Sequence, residues 1–332
     1  MSEGQPMTKG NPRLGVIGTG AIGQIHIRAW GANGIAPVAF ADANAEALAA
    51  TVATHGGTAF RDGLELIGSG LVDLVSICTP PLFHRDLAIA ALEAGVGVLC
   101  EKPLARMLED ADAIADAVVR TDGFLTVGFC HRFQPQIEAM KAMIDAGELG
   151  TVMQYRNRFA GHNRDVEQTW FANPEVAGGG VLTDTSIHSI DLFRHLIGEP
   201  VRIQALTSTR ETYLGPALDV EDTATLTLQT ADGTIGIIES SWRTPVGEWT
   251  VTVHGTTGTA VVDYSDETLR VKRPDGEWET IDVPEGNRFA REFANVIAAW
   301  RGDEPLRVTV EDGLAANRIL DAAYHSAGNR GV

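Results

Sequence analysis

The chain has 332 residues, 44% hydrophobic and 21% charged, which excludes a disordered chain and suits two domains better than one core. The formal net charge of −18 excludes nucleic acid and anionic membrane as partners held by general electrostatics, while leaving room for a local basic pocket. Residues Met1 to Pro12 lack the apolar core of a signal peptide, and no apolar run reaches the length of a membrane span, so a cytoplasmic protein is expected. Cys78, Cys100 and Cys130 are odd in number and lack CxxC spacing. They read as small buried side chains in a reducing compartment rather than as disulfides or zinc ligands.

The first informative stretch is Arg13 to His26. An apolar run, Leu14 to Ile17, enters glycines at Gly18, Gly20 and Gly23, and a helical pattern follows. Strand, glycine turn and helix form the context of a dinucleotide-binding fingerprint. Gly18 permits the turn, Gly20 lets the backbone approach a pyrophosphate, and Gly23 lets the helix pack close to the strand. The helix start, at Ala21 and Ile22, offers amides and a positive dipole end to phosphates. The next strand ends at Asp42, nineteen residues after Gly23, where such folds carry an acid that accepts hydrogen bonds from the adenosine ribose. With no arginine at Ala43 or Asn44, Asp42 favours NAD over NADP.

Strands are expected near 13–17, 36–41, 57–60, 73–78, 96–100 and 124–128, with helices near 21–32, 44–55, 62–68, 84–94 and 107–121. This alternation implies a parallel sheet with helices on both faces, whose ligands bind beyond the carboxyl ends of the strands. Those ends carry Thr79-Pro80-Pro81 with His84, then Glu101-Lys102-Pro103, then Gly128 to Phe133. A helix near 134–146 stops at Gly147, and the pattern then changes to strands: 151–160, 201–210, 221–230, 234–243, 248–255, 259–264, 268–273 and 277–283. They read as a large, mainly antiparallel sheet, interrupted by a helix at 182–197 and followed by helices at 288–301 and 310–326.

The helix at 182–197 follows Gly178-Gly179-Gly180. Four residues separate Asp184 from His188, and Asp191 is three further on, so the three share one helix face beside an apolar stripe. An acid and a histidine beside a buried stripe suit general acid–base work. His195 extends the polar stripe and raises a metal reading. At 1.5 Å per residue, however, Asp184 and His195 stand roughly 16 Å apart along the axis, too far for one ion, and no metal site is expected. A lysine such as Lys102 at a strand end suits use as a proton carrier if partly desolvated. Arg156 and Arg158 share a strand face and fit either an anionic ligand or a solvated or subunit-contact surface.

These motifs, in this order and spacing, resemble the Gfo/Idh/MocA oxidoreductases from Arg13 to at least Gly258, with the run from Asp184 to Asp191 most similar to the inositol dehydrogenase branch. The resemblance rests on Gly18-x-Gly20-x-x-Gly23-x-x-His26, Thr79-Pro80 with His84, Glu101-Lys102-Pro103, Gly128-Phe129 with Arg132, and the triple glycine leading to Asp184 and His188. It implies an α/β Rossmann domain at residues 1–130. Residues 131–332 would then form an α+β domain for substrate binding and oligomerisation, built on a large, mainly antiparallel open sheet and forming homodimers or homotetramers. NAD is the implied cofactor, held by Gly18, Gly20, Ala21, Ile22, Gly23, Asp42, Thr79, Pro80, His84, Glu101 and Lys102. Lys102, Asp184 and His188 are the implied catalytic residues, and His131 and Asp191 join them at a small polyhydroxylated substrate. The resemblance also implies a cis Lys102–Pro103 bond. Pro81 and Ser186 depart from the family's frequent asparagine and glycine, His131 and Phe289 stand where inositol dehydrogenases carry arginine and tyrosine contacts, and together they point away from inositol itself. Two other activities occur among relatives of this kind: NAD-using glycosidases and non-catalytic sugar-binding regulators.

Overall fold

The computed structural model describes residues 10–328, so most of the stretch read for a signal peptide lies outside the described residues. In chain order the elements begin with β1 (Leu14–Ile17), α1 (Ala21–Ala32), β2 (Ala39–Ala41), α2 (Ala45–His55), β3 (Thr58–Phe60), α3 (Gly63–Gly68) and β4 (Leu74–Ile77). Next come α4 (His84–Glu93), β5 (Gly97–Cys100), α5 (Leu108–Thr121), β6 (Leu125–Val127), α6 (Pro135–Asp145), β7 (Val152–His162), α7 (Pro174–Ala177) and α8 (Ile187–Leu196). The last are β8 (Pro200–Ser208), β9 (Thr223–Thr230), β10 (Ile235–Ser241), β11 (Arg243–Gly255), β12 (Thr259–Asp263), β13 (Thr268–Lys272), β14 (Trp278–Ile281), α9 (Arg288–Arg301) and α10 (Val310–Ser326).

The chain divides into two compact units. The first runs as far as Ala105 and adds Glu109–Gly128 and Asn287–Leu314; the second takes Arg106–Leu108, Phe129–Gly286 and the chain from Ala315 onward. A single boundary near 130 does not express the return of Asn287–Leu314 to the first unit.

The first unit is a six-stranded parallel sheet in the order β3-β2-β1-β4-β5-β6. Every residue of β1, β4 and β5 is buried, as expected for parallel strands covered on both faces. Helix α9 closes one face. Asn287 caps it by accepting from the Phe289 and Ala290 amides, and Gly302 ends it in the left-handed region. Phe293 on its buried stripe packs at 4.7 Å against Trp30 of α1, within a cluster that includes Leu14, Leu74 and Leu99. Trp30 satisfies its indole N–H by donating to Ser76 Oγ at 2.9 Å.

The second unit is built on an eight-stranded sheet in the order β14-β13-β12-β11-β7-β10-β9-β8. All its pairings are antiparallel except β10 on β7. The exception follows from connectivity. β10 and β11 flank β7 on opposite sides, meeting its end at Ser241↔Ala160 and Arg243↔His162, with only Trp242 between them. β11 accordingly starts at Arg243, five residues before the expected strand. Helix α8 lies on this sheet, with Phe193 edge-on to Tyr155 at 5.4 Å. Gly236 makes room, because a Cβ there would stand 2.4 Å from the Phe193 ring. Arg156 and Arg158 both pair with Glu239 on the neighbouring strand, and Arg158 also reaches Glu248.

The segment expected as one helix at 182–197 is two. Leu182–Ser186 winds as a π-helix, and α8 begins at Ile187. The amides of Gly180, Val181 and Leu182 all end on Glu221, a partner 39 to 41 residues away that no local pattern announces.

Candidate active site

In the first unit, the glycine turn is shaped by close backbone approach. Gly18 has φ +89° and donates to Ala41 O, and a Cβ there would stand 2.6 Å from Cys78 O. A Cβ on Gly23 would stand 2.1 Å from Gly18 O, so only glycine lets α1 start this close to β1. At Gly20, by contrast, a Cβ would meet nothing within 4 Å, and no side chain caps the first amides of α1 at Ala21 and Ile22. An open approach and uncapped amides fit a pyrophosphate.

Asp42 lies half-buried at the end of β2. Its Oδ2 accepts from the Thr19 amide and hydroxyl at 2.7 and 2.8 Å, and its Oδ1 from the Asn44 amide at 2.8 Å. A carboxylate accepts about four hydrogen bonds, so capacity for a ribose hydroxyl remains. Arg61 donates to Ala43 O and brings a guanidinium to this corner, which the spacing around Asp42 does not reveal.

The carboxyl ends of β4 and β5 are pinned by buried polar groups. His84 opens α4 with no exposed surface. Its Nδ1 lies 2.9 Å from Pro103 O and its Nε2 2.9 Å from Thr79 O, so it ties the Thr79-Pro80 loop to the Lys102-Pro103 turn. The Lys102–Pro103 peptide is cis. Full burial pushes the imidazole below its usual value, outweighing the two carbonyls that favour the cation. The fold therefore binds fewer protons here than the unfolded chain just below pH ~6.5. Stability from His84 is present above that value and is lost as pH falls through the window beneath it. The unfolding free energy should fall between pH 7 and 5.5, at a slope of up to about 1.4 kcal/mol per pH unit for one proton, and the melting temperature with it. His84→Gln should flatten that slope; an identical slope in the variant would refute the assignment.

Glu101 is likewise buried. Its Oε1 accepts from His26 Nε2 at 2.8 Å and its Oε2 from the Lys102 amide at 3.1 Å. Burial pushes this carboxyl up, but the His26 hydrogen bond, aided by the charges of His26 and Lys102, holds it below the usual carboxylate range. A Cβ at Gly128 would stand 3.0 Å from Glu101 Oε1, so glycine leaves that carboxylate room. Cys78, Cys100 and Cys130 are buried and form no disulfide, and burial pushes the first two thiols up.

In the second unit, His188 and His131 come together with ring centroids 4.5 Å apart. His131 Nδ1 lies 3.1 Å from Tyr264 OH, while Phe129 and Phe159 enclose the two imidazoles. Asp184 is half-buried, and its Oδ2 accepts from Thr185 Oγ1 at 3.2 Å. Thr185 Oγ1 in turn accepts from Trp242 Nε1 at 3.2 Å, so a buried indole orients the carboxylate through one hydroxyl. Asp191 has a cationic partner. Arg132 clamps it with two bonds, Nε to Oδ2 at 2.8 Å and Nη2 to Oδ1 at 2.6 Å, and both side chains are buried. Tyr264 and Trp242 escape sequence reasoning because the sheet brings them in, and the pairing of Asp191 with Arg132 escapes it because 59 residues lie between the two. Among the described residues no cluster of three or more His, Cys, Asp or Glu could hold a metal ion.

Residues 12–129 match the model described as an oxidoreductase family with an NAD-binding Rossmann fold, and residues 137–261 match the GFO/IDH/MocA C-terminal domain. The chain is 30% identical to the rhizopine catabolism protein MocA of Rhizobium meliloti, across 94% of this chain and 93% of that protein. It is 31% identical to the inositol 2-dehydrogenase of Rhizobium meliloti (strain 1021), across 96% and 97%. A solved levoglucosan dehydrogenase, in complex with NADH and levoglucosan, superposes with a TM-score of 0.86 at 26% identity, over 95% of this chain and 96% of that one. With an uncapped, glycine-lined helix start in one unit and paired histidines beside a held aspartate in the other, the chain belongs to the Gfo/Idh/MocA oxidoreductases, and its first unit is their NAD-binding Rossmann domain.

Proposed function

We propose that this protein oxidises a secondary alcohol of a small polyhydroxylated molecule, a sugar, sugar derivative or cyclitol, to the ketone. Bound NAD supplies the hydride acceptor. The observation that carries this reading is the His188–His131 pair beside Asp184 on a π-helical turn, a polar group set within an aromatic surround. Relatives named for inositol, levoglucosan and D-apiose dehydrogenation support the substrate class. His188 takes the hydroxyl proton as the carbinol carbon loses hydride, and Asp184 orients that hydroxyl. Lys102 offers its charge to the developing alkoxide. His131, held by Tyr264, binds a neighbouring hydroxyl, and Asp191 supports the site from its clamp with Arg132. The amides at Gly20, Ala21 and Ile22 receive the pyrophosphate, Asp42 the ribose, and Thr79 and Pro80 border the dinucleotide. His84 and Glu101 hold the loops that carry those contacts. The reading also takes the protein as a cytoplasmic homodimer or homotetramer, in keeping with apolar side chains such as Met153, Leu206 and Ile235 exposed on the large sheet.

The test is an NADH-formation screen across polyols, aldoses, anhydrosugars and aminosugars. At least one class should reduce NAD; NAD binding without reduction by any of them would leave the regulator reading in its place.

NAD should be preferred over NADP, because Asp42 repels a 2′-phosphate. Asp42→Ala should narrow that preference, with Arg61 as the receiving cation, and adding Arg61→Ala should remove the gain with NADP. Equal kcat/KM for the two cofactors in the parent would refute the role of Asp42.

A further inference from the structure

We propose that Glu221 and Tyr324 are positioning residues for the reaction, setting the π-helical turn that carries Asp184 and leads into His188. One oxygen of the buried Glu221, Oε1, accepts three hydrogen bonds: from the Gly180 amide at 2.9 Å, the Leu182 amide at 3.0 Å and Tyr324 OH at 2.8 Å. The Glu221 carbonyl takes the intervening Val181 amide at 2.9 Å. Tyr324 OH also meets Thr183 Oγ1 at 2.9 Å. Residues 180 to 183 are thus tied one after another to two residues from other parts of the second unit, three through side chains and Val181 through the Glu221 carbonyl.

The triple glycine is explained by this docking. A Cβ on Gly179 would stand 1.8 Å from Tyr324 OH, and one on Gly180 would stand 2.0 Å from Glu221 O. Gly178 adopts φ +81°, a left-handed turn after α7. The Gly180, Val181 and Leu182 amides are spent on Glu221, and the Gly178 amide on Pro174 O, rather than offered to an anion.

Burial pushes the Glu221 carboxyl up, and the Tyr324, Leu182 and Gly180 donors pull it only partly back. A carboxylate kept in so costly a setting is better explained by what it holds in place. A π-turn is a rare winding found at functional sites, and one fastened at its first two residues and the two before them gives Asp184 and His188 a fixed azimuth. Thr185 and Trp242 then orient the Asp184 carboxylate from the other end of the same turn.

This inference rests on the proposed roles of Asp184 and His188, and a double-mutant cycle separates the two. Tyr324→Phe keeps the ring and removes both hydrogen bonds. On the best substrate from the screen it should lower kcat by about tenfold to 10²-fold, the cost of an ångström-scale misplacement. The dissociation constant of NAD should stay at the parental value. In a His188→Ala background the same substitution should have almost no further effect. Glu221→Gln should act in the same direction and more mildly than Glu221→Ala, and it reads the proposal if Tyr324→Phe does not fold. Parental kcat in Tyr324→Phe and Glu221→Gln, or losses that multiply undiminished with His188→Ala, would overturn the positioning role alone. Parental kcat in His188→Ala itself would overturn the proposed chemistry, and the positioning role with it.

Discussion

Replacing His188 with alanine is expected to lower kcat by about 10²–10⁴, the usual contribution of a positioned proton acceptor. Lys102→Met should lower kcat sharply through loss of the charge beside the developing alkoxide. Neither change should alter NAD affinity by more than a few-fold, because the glycine turn and Asp42 keep their own hydrogen bonds, to Ala41, Thr19 and Asn44. Asp184→Asn keeps the shape but not the charge that orients a hydroxyl, so its loss should appear mainly in kcat/KM. Steady-state kinetics with fluorescence titration of NADH reads both quantities. A near-parental kcat in His188→Ala would make Lys102 the direct proton acceptor instead.

Asp191→Ala is expected to be the most destabilising single change in the second unit. The Arg132–Asp191 pair is bidentate, with 6% and 1% of the side chains exposed, so deleting the acid strands a buried guanidinium. Breaking a buried pair from one side costs about 3–5 kcal/mol, whereas replacing both partners by apolar groups of similar size is often close to neutral. Asp191→Ala should therefore lower the melting temperature by many degrees, and Arg132→Met with Asp191→Leu should recover most of that loss. A parental melting temperature in Asp191→Ala with a raised KM for substrate would instead mean that Asp191 works on the substrate directly.

The difference between what the sequence discloses and what it hides follows contact range. Gly18, Gly20 and Gly23 are legible because strand, turn and helix are adjacent in the chain; backbone distances account for Gly18 and Gly23, and open space for Gly20. The parallel sheet is legible because apolar runs alternate with helical patterns. Asp184 and His188 are legible as a pair on one segment, but not the winding that carries them, since the π-turn is held by Glu221 and Tyr324, 41 and 141 residues away from their partners. Tyr264 reaches His131 across 133 residues, and Asn33 donates to Ala290 across 257, a bond from the end of α1 to the returning segment of the first unit. Asp191 shares a helical stripe with His188 on paper. The one-residue insertion of the π-turn lies N-terminal to both, and the partner Asp191 takes is the guanidinium of Arg132, contributed by the stretch after β6.

The most direct test of the account is isotope transfer. The best substrate of the screen is prepared with deuterium on the carbinol carbon and incubated with the protein and NAD, and the cofactor and product are analysed by mass spectrometry. Direct hydride transfer predicts one deuterium in each NADH and one ketone for each NADH formed. Deuterium lost to solvent, or glycoside cleavage with no net NADH, would contradict it.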